Sequence, residues 1–195
     1  TNETAFHIPV AIKVAKAGLD LFIEKPLSNS TNGIKALQKI VKQKKLVTQM
    51  GCNLRFHKCI IKIRQLINQK KIGKVVSIQS ENGSYLPDWH PYENYTKNYA
   101  SKKTLGGGVT LTQIHELDYM LYLLDNYGLK KILSHNSRLS SLKINVEDTL
   151  NSSFLFANKK NQLVCNVHLN YYEQPGKREV NFLFENGKIS ADLNA

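Results

Sequence analysis

Two short apolar runs, Leu19–Ile23 and Leu46–Met50, each follow a stretch whose apolar residues recur with helical period. The first stretch spans Ile8 to Ala17 and is stopped by Gly18; the second takes N-cap residues from Asn29–Thr31 and extends to about Lys45. Helix, strand, helix, strand implies a parallel sheet, since strands joined through a helix run the same way. In such sheets ligands gather beyond the carboxyl ends of the strands. That rule places Glu24-Lys25-Pro26 and Cys52-Asn53-Leu54-Arg55 on one ligand-facing edge.

After Arg55 the pattern changes. Cys59–Gln69 reads as a helix and Lys74–Gly83 as a strand with alternating faces. The stretch from Tyr85 to Leu105 holds Pro87, Trp89, His90, Pro91 and four tyrosines; it is too irregular for a strand and long enough to carry function. Gly106-Gly107-Gly108 opens a helix expected over Val109–Leu124, and the remainder alternates strands with turns at Asn158–Asn161, Pro175-Gly176 and Asn186-Gly187. The expected fold class is α/β. Residues 1–54 form the end of a parallel domain, and residues 55–195 form a second domain on an open, mostly antiparallel sheet. No Ser/Gly linker separates them, so they pack against each other.

Composition narrows the function classes. No apolar run approaches the length of about 20 residues that spans a bilayer. Cys52, Cys59 and Cys165 fit neither a disulfide framework nor a zinc site, which points to a reducing cytoplasm. The net charge of +12 comes mostly from scattered lysines, with only Arg55, Arg64, Arg138 and Arg178 as arginines, so nucleic acid is not the expected partner. The histidines show no metal-ligand spacing, and no metal is expected.

Two places carry chemistry. Proline after Lys25 restricts the backbone and aims the lysine, whose ammonium can meet a substrate hydroxyl or carbonyl; a solvated lysine after a strand is the plain alternative. On the helix after the glycines, Thr112, His115 and Asp118 are spaced to share one face, with Tyr119 one turn from His115. Histidine there suits general-base work, and a ring bonded to a backbone carbonyl is its plain alternative. Trp89 can wall a sugar pocket by stacking, or pack within its own loop.

Taken together, Thr1-Asn2 with His7, the Phe22-Ile23-Glu24-Lys25-Pro26-Leu27 segment, Asn53-Leu54-Arg55-Phe56, and Gly106-Gly107-Gly108 with His115 resemble the Gfo/Idh/MocA oxidoreductases. The resemblance implies a Rossmann domain followed by an α/β substrate and oligomerisation domain, with NAD or NADP in the cleft. Lys25 and His115 would be the catalytic pair. Thr1, Asn2, His7, Glu24, Lys25, Pro26 and Asn53 would lie on the cofactor side; Lys25, Arg55, Trp89, Thr112 and His115 would contact a sugar or sugar nucleotide. Lys97, Lys102, Lys103 and Arg178 offer positive charge for a diphosphate, or a solvated face. A homo-oligomer, dimer or tetramer, is also implied.

Two features depart from the family pattern. Thr112 stands where many members carry aspartate, and none of the eleven glycines makes the G-x-G-x-x-G turn that grips a dinucleotide. The expectation is therefore a fragment that is inactive alone, with its first strands upstream and its end cut short. A non-catalytic binding or scaffold member of the same fold is the alternative.

Overall fold

The computed structural model describes residues 2–194; Thr1, assigned above to the cofactor side, lies outside them. Helix α1 spans His7–Lys16 and α2 Ile34–Lys44, while strands β1 (Leu21–Ile23) and β2 (Thr48–Met50) pair in parallel with Leu21 opposite Thr48. Both strands begin two residues later than the apolar runs. The reason is helix termination: Gly18 (φ +83°) and Lys45 (φ 55°) turn left-handed, and the amides of Leu19 and Leu46 donate back to Val14 and Val41. The first residues of each run are used in ending a helix.

Helix α2 starts at Ile34 and not after Asn29–Thr31. Gly33 adopts φ +77°, and a Cβ there would fall 2.7 Å from Ile8 Cγ2, so α1 can approach closely. The serine hydroxyls upstream are occupied in local turns, Ser28 accepting from the Ser30 amide and Ser30 from the Asn32 amide. Ile8, Ala11, Ala15, Leu21 and Leu37 form the small core of this lobe.

The second lobe begins with α3 (Lys58–Gln69) and β3 (Val75–Gly83). After the long loop come α4 (Val109–Thr112), α5 (His115–Leu123), β4 (Gly128–Ser137), β5 (Thr149–Ala157), β6 (Gln162–Asn170), β7 (Lys177–Phe184) and β8 (Gly187–Asp192). Six strands form one open sheet in the order β4-β5-β6-β3-β7-β8, antiparallel throughout except for the central β3–β6 pair. Period-two alternation buries Ile78, Val180 and Phe182 against Ile60 and Ile63 of α3 and Tyr119 and Met120 of α5. The turn-rich segments fall between β5, β6, β7 and β8, as the sequence implies.

The helix expected over Val109–Leu124 is broken. Gln113 takes φ −100° and ψ 34° between α4 and α5, and its side-chain amide donates to Ser84 Oγ and to Asn170 O at the end of β6. Anchoring Gln113 to the sheet overrides local helical preference. The two lobes meet at this break and at the glycine triplet, where a Cβ on Gly106 would fall 2.7 Å from Thr4 Cβ.

Candidate active site

Lys25 leaves the carboxyl end of β1 and reaches the other lobe, where its Nζ donates to the main-chain oxygen of Thr112 at 2.6 Å. Burial lowers its pKa first, and the charge of Arg178 lowers it further; Glu116, Glu24 and Cys52 oppose this. Below it, His7 is buried with Nδ1 2.8 Å from Pro26 O and Nε2 3.0 Å from Asn2 O. Both ring nitrogens face main-chain oxygens, so that His7 braces the Lys25-Pro26 turn. Asn2 and Glu24 are exposed, and Pro26 is buried.

His115 opens α5 and is only 6% exposed. Its Nδ1 is buried without a hydrogen-bond partner. Burial, then the charges of Lys25 and Arg178, push its pKa down to about 4 against the opposing pull of Asp118. The ring is neutral at physiological pH and able to accept a proton.

The break at Gln113 redistributes the other residues expected on this face. The Thr112 hydroxyl points inward, donating to Gly108 O at 2.9 Å and lying 2.5 Å from the Tyr171 hydroxyl. Its carbonyl, not its side chain, meets Lys25. Tyr119 is fully buried and hydrogen-bonded to Ser80. Asp118 accepts two bonds from Arg55, at 2.8 and 2.5 Å, and the guanidinium also lies 5.2 Å from the centre of the Tyr122 ring. This pair lines a cavity of about 770 Å³ together with Lys25, Cys52, Leu111 and Ile114. Cys52 supplies that wall; Asn53 is exposed at the start of a short 3₁₀ turn.

Trp89 is half-buried, donates its indole N–H to Ser84 Oγ and meets Tyr171 edge-on. These contacts hold the ring against the start of its loop and the end of β6. The triple glycine permits close approach of the chain to itself: a Cβ on Gly107 would lie 2.4 Å from Tyr99 O, and one on Gly108 (φ +107°) 2.4 Å from the Glu147 carboxylate. Lys97 and Lys103 are exposed on the long loop and Lys102 is half-buried. Arg178 is different. It donates through Nε to Oε1 of Glu116 at 2.7 Å, behind His115. The sequence reading did not include Glu116, and no local signal joins it to a partner 62 residues away.

Comparison with known proteins agrees with this architecture. The family model for the GFO/IDH/MocA C-terminal domain matches residues 60–190. The chain belongs to the Gfo/Idh/MocA oxidoreductase family. A second model of the family, the NAD-binding Rossmann fold, matches residues 1–52. Levoglucosan dehydrogenase of Pseudarthrobacter phenanthrenivorans is 29% identical over 124 residues, covering 63% of this chain and 31% of its own length. The scyllo-inositol 2-dehydrogenase (NAD(+)) of Bacillus subtilis is 28% identical over 128 residues, or 63% of this chain and 33% of its own. Among solved structures, an inositol dehydrogenase homolog complexed with NAD+ from Azotobacter vinelandii superposes with TM-score 0.84 at 14% identity, covering 97% of this chain and 50% of that one. This likeness shows the fold. The chain thus spans about a third to a half of the relatives it matches.

Proposed function

We propose that the protein containing this chain is an NAD(P)-dependent oxidoreductase moving hydride between a nicotinamide cofactor and a hydroxyl-bearing or keto carbon of a sugar, polyol or sugar nucleotide. The observation that carries the reading is the meeting of Lys25, from the end of β1, with the α4–α5 break that also presents His115. A dinucleotide fits this place chemically: the carboxyl edge of a parallel sheet faces it, and a half-buried ammonium stands beside a neutral imidazole. Glu24, Lys25 and Pro26 would hold the nicotinamide end, and a bound nicotinamide supplies the hydride acceptor or donor. The two side chains handle the proton. Lys25 donates a hydrogen bond to the reacting oxygen, having a main-chain oxygen as its present acceptor, and His115 takes the hydroxyl proton in one direction and returns it in the other. Arg55 and Asp118 hold each other at the cavity wall and keep the crossover segment against α5. The domain boundary near residue 54 belongs to the same proposal. So does an oligomer contact through the outer face of the sheet, where Leu133, Val164 and Leu183 are exposed.

The scaffold alternative draws its support from Thr112, whose hydroxyl is turned away from Lys25. Titrating the intact protein with NADH and NADPH while following nicotinamide fluorescence separates the two. Saturable binding, with reduction of the oxidised cofactor by polyols or sugars, supports the oxidoreductase; no binding of either cofactor supports the scaffold.

A further inference from the structure

Glu116 is the most deeply buried acidic side chain near the site, at 0% exposure, and its carboxylate takes Nε and Nη2 of Arg178 at 2.7 and 3.4 Å. A buried ion pair is costly to desolvate, and apolar residues of the same volume fill such space at least as well. Its distinctive contribution here is charge and orientation. The pair joins α5 to β7 one residue after His115, whose Nδ1 has no hydrogen bond to fix the ring. Seating that turn of the helix is what remains to orient the imidazole.

The two charges of the pair act unequally on the site. At His115 the guanidinium acts in concert with Lys25 from the first lobe, and Asp118 on the same helix opposes both. At Lys25 the guanidinium outweighs the carboxylate, with Glu24 and Cys52 adding weaker opposition. Of the two charges, the guanidinium is the one that acts more strongly on the proposed reacting groups.

We propose that Glu116–Arg178 is the positioning pair of the reacting centre, seating the first turn of α5 on strand β7 and holding a guanidinium beside His115 and Lys25. This rests on the reading of His115 as the proton acceptor, and it is tested by a measurement that needs no turnover. The histidine Cε1–H resonances of the intact protein are followed by NMR against pH in wild type, E116Q and E116Q/R178M, with the pH profile of cofactor reduction recorded beside them. Glutamine keeps an acceptor for Arg178 but removes the carboxylate charge, so E116Q leaves the His115 titration where it was or moves it lower. E116Q/R178M removes the guanidinium and raises it by about one pH unit, with the acid limb of activity moving the same way. A pair that merely braces the fold predicts no such opposition, and equal titration in all three proteins overturns the proposal. If the double variant does not fold, E116Q decides alone: an upward shift of His115 overturns it. If wild type reduces neither cofactor, the oxidoreductase reading fails while the titration still answers for the pair.

Discussion

The two lobes supply one residue each to the proposed reacting pair, but from very different frameworks. Lys25 stands on a two-stranded sheet with three residues per strand, over a core of five buried side chains, with Leu19, Phe22 and Val47 each more than half exposed. His115 stands on a helix seated on six strands, over a continuous core that includes Tyr119, Tyr171 and Phe182 at 0% exposure. A two-stranded sheet is marginal by itself. The comparison teaches that Lys25 is aimed by a few specific contacts, chiefly the Thr112 oxygen and the His7 brace, whereas the helix that carries His115 is seated by bulk packing together with the Glu116–Arg178 pair.

The sharpest way to break this comparison is to divide the chain. Residues 58–194 should unfold cooperatively in a denaturant titration followed by circular dichroism, and residues 2–50 should show no cooperative transition; cooperative unfolding of the short piece contradicts the contrast. Core truncations give a smaller, graded version. Phe182→Ala should cost about 4 kcal/mol and Leu37→Ala about 2 kcal/mol, because a loose core relaxes around the lost atoms more easily. Equal losses from urea midpoints at constant m-value would remove the distinction.

The smallest effect is acid sensitivity. His115 is held at about 4 against an ordinary value of 6.5, so between those values the unfolded chain binds a proton that the folded chain refuses. Stability therefore falls as pH drops through that window. Asp148 acts lower: amides of Leu139 and Ser140 and the hydroxyls of Ser140 and Thr149 hold its pKa below the ordinary 3.8, so its contribution is lost only on further acidification. His115→Ala should flatten the upper window alone. Lys25→Met should narrow it, since one cation near His115 is gone, and unchanged midpoints in Lys25→Met would mean that the lobes are not electrically in contact.

Periodicity makes most of the fold legible, because α1, β1, β2, α3 and β3 are each set by local apolar patterns and by glycine stops. Lys25 and His115 are legible as residues of suitable chemistry beside backbone-shaping proline and glycine. The misreadings share a cause. Gln113 breaks the helix through bonds to Ser84 and Asn170, and Gly33 delays α2 to admit Ile8. Each outcome is decided by a partner distant in sequence, which local propensity does not encode. Glu116–Arg178 and Arg55–Asp118 escaped for the same reason, their partners lying 62 and 63 residues apart.

The central claim is that Lys25 and His115, carried by separate lobes, act on one oxygen of one substrate. A double-mutant cycle with Lys25→Met and His115→Ala tests it, reading kcat/KM for cofactor reduction by the intact protein with the sugar or polyol it turns over fastest. Each single change should lower the rate by about 10²–10⁴-fold, and the double variant should be little worse than the poorer single one, since groups working as a unit are strongly non-additive. Losses that simply multiply would show two residues working independently, and the account would be wrong.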